Sequence, residues 1–417
     1  MVPAILPTVL FSIGEGAIIP IIPIAADNLG ASLAIAGLIA ALLMVGELFG
    51  NIPSGWVIAR VGERPAMIGA AALSIVGATI CVSASNPVAL GSGILLLGLS
   101  AAVFALARHA FMTSFVPLPY RARALSTLGG TFRLGFFIGP FITAGLIAIT
   151  GTASSAFWVH IVACVGVVIM LVTLRDPTTT FGAVRTGRVG GRRMREGEAL
   201  VERESAGLFR TVFDKRGVLG RMGVGAAIIM ALRASRQVML PLWAVSIGIG
   251  DSTTAIVIGI AAAVDFALFY TGGAIMDRFG RLWTAVPSVL GLGIGHIALA
   301  FTHDLLANTT WFVIVAIFLA LANGPGSGII MTLGSDLADP RDPAPFLGAW
   351  RFTAGLGGAG APLMIAGITA AVSLSAAAGA VGALGILGAF VLLRYVPRYI
   401  DKPLPRRSQS RPQDLDE

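Results

Sequence analysis

Twelve stretches of mainly apolar residues, each about 20 residues long and so able to cross a bilayer, divide this 417-residue chain. They lie near 4–26, 32–58, 66–84, 88–113, 125–148 and 155–174, and again near 219–247, 252–276, 283–302, 309–334, 346–370 and 373–393. Charged residues are only 12% of the chain, where soluble proteins carry roughly 25%. The abundant glycine suits helices that must approach closely in lipid. A soluble domain is excluded. The apolar start lacks the basic leader of a signal peptide, and Glu15 interrupts it.

The net charge of +8 is a topology signal. Of the 29 Lys and Arg residues, 23 fall in alternate connections and the tail, and the intervening connections hold none. Basic residues mark the cytoplasmic side, so both termini and the long middle loop are expected there, in the inner membrane. A nucleic-acid partner is not expected. Cys81 and Cys164 lie in separate apolar segments, which argues against a disulfide or zinc site and for small core residues.

A repeat runs through the chain at an offset of 218. Gly55-x4-Arg60-x-Gly62 returns as Gly273-x3-Asp277-Arg278-x-Gly280-Arg281. The same offset pairs Pro23 with Pro241, Gly30 with Gly248, Arg123 with Arg341, Arg133 with Arg351, and Glu47 with Asp265. Two copies of one membrane unit are common in secondary transporters. The expected fold is an all-α membrane protein of twelve transmembrane helices in two pseudo-symmetric six-helix halves. The expected parts are 1–174, a cytoplasmic central loop at 175–217, 218–397, and a polar cytoplasmic tail at 398–417.

Within the loop, Thr178 to Gly197 is rich in Gly and Arg, which suggests disorder. Val201, Leu208, Phe209, Val212 and Phe213 then gather near one side of a helix. That segment suits either an amphipathic helix on the inner membrane surface or an ordinary tether.

These turns resemble those of the major facilitator superfamily, over about residues 4–396. The family carries G-x3-D-R-x-G-R-R after the second span, often echoed after the eighth. Gly273, Asp277, Arg278, Gly280 and Arg281 match the echo. In the first copy Gly55, Arg60, Gly62 and Arg64 match, but Ala59 stands for the Asp and Glu63 for a basic residue. The resemblance implies that these turns latch the halves, with the second copy carrying more of that role here. In span 5, Gly135-x3-Gly139-Pro140 partly matches the pattern of the family's drug/proton antiporter branch and is expected to bend the helix. The departures are Ser126 for the first Gly and Thr143-Ala144 for the last pair, and the family's usual Arg early in span 4 is absent. The spacing Arg121-x-Arg123 resembles the family's 4–5 loop.

The resemblance also implies that spans 1, 4, 7 and 10 line a central cavity while 2, 5, 8 and 11 line the interface between halves. Glu15, Glu47, Asp265, Arg108, Arg133, Arg233, Arg236 and Arg351 all fall on those two sets. An ionisable group at mid-bilayer costs several kcal/mol unless paired or hydrated, so each is a functional candidate. Glu15, Glu47 and Asp265 are the candidates for proton coupling, because a carboxyl shielded in one state and hydrated in another can carry a proton. The competing reading of each acid is a brace tied to an Arg; for Glu47 and Asp265 the expected partners are Arg133 or Arg351.

Met230, Arg233 and Gln237, with Arg236 close by, follow helical spacing on span 7. With Asn323 and Arg108 they are the expected substrate cavity. Asn323-Gly324-Pro325-Gly326-Ser327-Gly328 reads as a hinge in span 10, or as a packing kink. His109, His160 and His296 read best as hydrogen-bonded core residues.

No phosphate loop accompanies either lysine, so an ATP-driven pump is not supported, and no hydrolase motif stands in the right context. The expectation is a monomeric proton-coupled transporter, not an enzyme, that exports a small amphipathic compound. It would use protons and membrane lipid as partners, without cofactor or metal. Its rivals are an importer or exchanger of an organic anion, and a non-transporting sensor or scaffold.

Overall fold

The computed structural model describes residues 2–116, 118–173, 186–189, 192–205, 207–339 and 342–400. Arg341, Thr178 to Arg185 and the tail from Asp401 onward lie outside them, as do the side chains of Arg121 and Arg123. Among the described residues eleven helices are long and apolar enough to cross a membrane, and Asn308–Asn323 is a shorter apolar one. The protein is a multi-pass, twelve-helix membrane protein.

Span 1 joins Val2–Ile18 to Ile22–Asn28 through a 3-10 turn, and span 2 is Leu33–Val61. Spans 3 to 6 are Glu63–Ser83, Pro87–Phe115, Leu118–Thr150 and Ser155–Thr173. Span 7 runs Arg216–Ser246. Span 8 joins Asp251–Ala267 to Phe269–Phe279, span 9 is Leu282–Ala300, and spans 11 and 12 are Ala344–Ala371 and Leu374–Tyr399. Span 10 is broken. Its helix stops at Asn323, turns through Gly324 to Gly328 and resumes as Ile329–Leu337. Gly328 holds φ +83° at the restart, a conformation that costs glycine little.

Local chemistry starts the helices where the sequence places them. Ser32 and Ser373 accept from the amides of Ile35 and Ala376, and Asn86 accepts from Ala89 with Pro87 in the first turn. The repeat is visible in the backbone. Gly30 and Gly248 have φ of 79° and 71°, and Gly62 and Gly280 have 89° and 96°, so both 218-offset pairs turn the chain alike.

Spans 1 to 6 pack chiefly on one another, as do spans 7 to 12. Two seams join the sets, span 2 with span 11 and span 5 with span 8. Span 5 runs through Pro140 as one continuous helix. Its glycines serve contact: a Cβ at Gly135 would meet Ser12 and Ile13 of span 1, and one at Gly139 would meet the backbone of Ile13 and Ala17. Large apolar side chains such as Phe49, Trp158, Ile169 and Phe390 point outward, where lipid would receive them.

In its described part the long connection departs from the disorder expected of Thr178 to Gly197 and from the single surface helix or tether expected after it. Thr186–Val189 pairs antiparallel with Arg192–Arg195, in the register Val189 opposite Arg192. The two residues between them are Gly190 and Gly191, a composition that favours two-residue hairpins. Two helices follow, Glu196–Ser205 and Leu208–Asp214. The first, hereafter the loop helix, is no surface helix: Val201 is fully buried beside Ile58, Ala107 and Ala110 of spans 2 and 4. Only the second shows exposed aromatics, Phe209 and Phe213. The side of the molecule carrying this connection is called the loop face below.

Candidate functional site

Span 7 shows one wet face. From Gly225 to Ala244 every residue is buried except Ala227, Met230, Arg233, Arg236 and Gln237, which are partly exposed. That spacing is one side of a helix, and it includes all four residues that the sequence singles out on this span. A cavity of about 60 Å³ reaches Arg236 and Gln237 between Gly16, Phe136 and Pro140.

Asp265 faces this side from span 8. Its carboxylate accepts from Arg236 at 2.9 Å and from Asn323 Nδ2 at 2.8 Å to each oxygen. Arg133 of span 5 stands 3.6 Å away, so this ion pair crosses the 5–8 seam. Asn323 is spent on Asp265 through its NH2 group, while its buried Oδ1 finds no partner among the described residues. Arg233 Nη2 donates to the Gly326 carbonyl in the break of span 10, which also accepts from the Ile329 amide, and its buried Nε has no partner among the described residues. The break therefore supplies an acceptor to span 7.

Glu15 and Glu47 are placed differently. They line one cavity of about 120 Å³ with Phe11, Asn51, Arg108 and Phe132. Arg108 lies over the Phe132 ring at 4.7 Å from its centroid. Among the described residues neither acid makes an ion pair. The expected Arg351 partner of Glu47 is engaged elsewhere: it donates to Glu204 Oε2 of the loop helix. The loop helix lies between spans 2 and 11 at this level, and its carboxylate reaches the guanidinium first.

The signature turns also divide. After span 8, Arg281 clasps Asp336 of span 10 with two bonds, at 2.8 and 3.2 Å; Arg278 lies over Phe279, and no ion pair is formed by Asp277 among the described residues. After span 2, Arg60 stacks on Trp56 at 4.4 Å and Arg64 Nε donates to the Leu171 carbonyl at 2.6 Å. Glu63 is fully buried; it accepts from Ser114 Oγ and from Arg195 Nη1, the latter at 2.9 Å. Sequence reasoning noted Glu63 only as a departure from the family pattern, and that departure was the signal. Glu204 and Arg195 gave none, because they stand in a loop full of charges.

His160 and His296 are buried and hydrogen-bonded, as core residues are, whereas His109 is only half-buried. His160 Nε2 meets Ser74 Oγ at 2.6 Å, and His296 Nδ1 meets the Leu292 carbonyl at 2.7 Å.

The Major Facilitator Superfamily profile matches residues 5–341 and again 222–415. The MFS-type transporter pydD of Acremonium sp. is 37% identical over 86 residues, 21% of this chain and 15% of that protein. A probable inositol transporter 2 of Arabidopsis thaliana is 27% identical over 115 residues, 28% of this chain and 20% of that one. The chain thus spans about a fifth or less of the length of these relatives. Among solved structures, a D-xylose–proton symporter superposes with a TM-score of 0.74 at 14% identity, covering 97% of this chain and 98% of that one. A POT family transporter in complex with a thioalcohol-conjugated peptide gives 0.74 at 12%, covering 95% and 96%. The E. coli xylose transporter XylE, in a partially occluded inward-open conformation, gives 0.68 at 14%, covering 95% and 98%. At these identities the likeness is one of fold. A profile match over most of the chain, together with this fold of eleven long apolar helices and one shorter one among the described residues, means that the chain belongs to the Major Facilitator Superfamily.

Proposed function

We propose that the protein exports a small amphipathic compound across the cytoplasmic membrane in exchange for protons. The observation that carries this reading is the contrast between its acids. Asp265 is tied to two arginines and an amide, whereas Glu15 and Glu47 share a small cavity with Arg108 and form no ion pair among the described residues. A carboxyl free of a fixed counter-ion can gain and lose a proton as its hydration changes, so Glu15 and Glu47 carry the coupling proton and Asp265 is a brace. Met230, Arg233, Arg236 and Gln237 form the substrate wall, and Met230 supplies an adaptable apolar contact. The loop face is cytoplasmic, as the arginine distribution requires, and 1–174 and 218–397 move as two bodies.

A second reading has its own support. Arg133 and Arg236 pair with Asp265, Arg233 lies within charge range of it, and among the described residues Arg233 Nε has no partner. That surplus favours an anionic group on the ligand, hence import or exchange of an organic anion.

Inside-out membrane vesicles separate the readings. With the interior acidified and a panel of cationic, neutral and anionic amphipathic dyes outside, exchange predicts accumulation of dye that collapses with the pH gradient. Accumulation only in right-side-out vesicles, or only of anionic dyes regardless of the gradient, would overturn the export reading.

A further inference from the structure

The 218-residue repeat places an equivalent residue one helical turn toward the loop face from each seam acid. Phe269 follows Asp265 by four residues on span 8, and Asn51 follows Glu47 by four on span 2, so each pair shares one side of its helix. The chemistry at the two positions is opposite. Phe269 shuts its side: Arg133, 3.6 Å from the Asp265 carboxylate, also lies over the Phe269 ring at 4.8 Å from its centroid. Acid, cation and ring form one stack, with an apolar group on the loop-face side of Asp265.

Asn51 does the reverse. It is exposed although it sits within an apolar membrane-spanning helix, and among the described residues no hydrogen bond occupies its amide. It lines two cavities. One, of about 120 Å³, holds Glu15, Glu47 and Arg108; the other, of about 290 Å³, opens between spans 2, 4 and 11 and holds Glu204, Arg210 and Arg351. Neighbouring residues face the two, Glu47 and Ala105 the first, Leu48 and Leu106 the second. The cavities therefore lie back to back along spans 2 and 4, and among the described residues Asn51 is the one common to both.

Both are roomy enough for water, which takes about 30 Å³ in the liquid and roughly two to four polar partners. Two carboxyls, a guanidinium and an amide supply those partners on the acid side. The wall between the cavities is otherwise apolar, and a leucine would break a hydrogen-bonded file there, whereas Asn51 carries both donors and an acceptor. His109 of span 4, within charge range of Arg108 and Arg351, is the further titratable group beside the path. Neither cavity is lined by the span 7 residues that form the wall for the compound.

We propose that Asn51 is the proton port of the acid pair: protons pass between the Glu47 carboxyl and the loop-face cavity through water held on the Asn51 amide, apart from the route of the compound. On release the Glu47 O–H bond breaks, its electron pair stays on the carboxylate, and the proton joins that water; loading is the reverse. Phe269 denies the same exit to Asp265, which suits a brace. The inference rests on the reading of Glu15 and Glu47 as the acids that take up and release protons, and adds the residue through which they meet the loop face.

The test follows the acids themselves, by infrared spectroscopy of full-length protein in lipid nanodiscs. The carboxyl bands that Glu47→Gln and Glu15→Gln remove identify the two groups, and the shift of each band after a jump from H2O to D2O gives its rate of proton exchange. Asn51→Leu loses the amide at similar volume, and exchange at Glu47 should become about tenfold slower, the factor that ~1.4 kcal/mol of lost hydrogen bonding gives. Asn51→Ser keeps a hydroxyl and leaves room for water, and should exchange near the parental rate, a rescue that a packing role would not give. Three results each overturn the proposal: Asn51→Leu exchanging at the parental rate, Asn51→Ser as slow as Asn51→Leu, or no protonated Glu15 or Glu47 band at any pH at which the protein stays folded. Dye flux in vesicles keeps the two readings apart. Flux in the parent that ignores the proton gradient, with the infrared result intact, sinks the export reading alone; coupled flux at the parental rate in Asn51→Leu sinks the port alone.

Discussion

Replacing Asp265 by Asn decides whether this acid is a brace or a proton carrier. Its side chain and that of Arg236 are 11% and 13% exposed, so the pair is largely desolvated. Removing one partner of such a pair costs about 3–5 kcal/mol, because the other charge is left buried and uncompensated. Two features reduce that figure. Arg133 is 21% exposed and keeps some hydration, and an amide can still accept one bond from Arg236. A loss of about 2–3 kcal/mol remains, which is a change of roughly 30- to 150-fold in the unfolding equilibrium. Steric trapping in bicelles measures this without transport. In a cycle with Arg236→Met, the double variant should be less damaged than the sum of the single ones by about 2 kcal/mol. If Asp265→Asn keeps its stability within about 0.5 kcal/mol while proton-driven flux disappears, the brace reasoning is refuted and Asp265 carries the proton.

Two further outcomes are expected. Glu15→Gln should abolish pH-driven dye flux while leaving stability near that of the parent, because Glu15 forms no ion pair among the described residues; undiminished proton-coupled flux would remove it from the mechanism. Gly139→Val should cost about 3 kcal/mol or more, since the new side chain meets the backbone of Ile13 and Ala17 rather than movable side chains; a variant that unfolds like the parent would show that spans 1 and 5 are not in tight contact.

The sequence by itself determined the twelve crossings, the turn positions and the repeat. Lipid leaves a backbone one economical answer, and Ser, Asn and Gly at fixed positions start and stop each helix locally. The wet face of span 7 was legible too, because Met230, Arg233 and Gln237 share one side of any helix. Partner choice was not. The repeat pairs Arg133 with Arg351 and Glu47 with Asp265 in sequence, and symmetry then predicts two equivalent bridges. Only the fold brought Arg236 and Asn323 onto Asp265, and only the fold carried Glu204 between spans 2 and 11 to take Arg351. The reason is range. Periodicity and capping act over a few residues, whereas an ion pair forms wherever packing brings charges within a few ångströms, here from residues 147 apart.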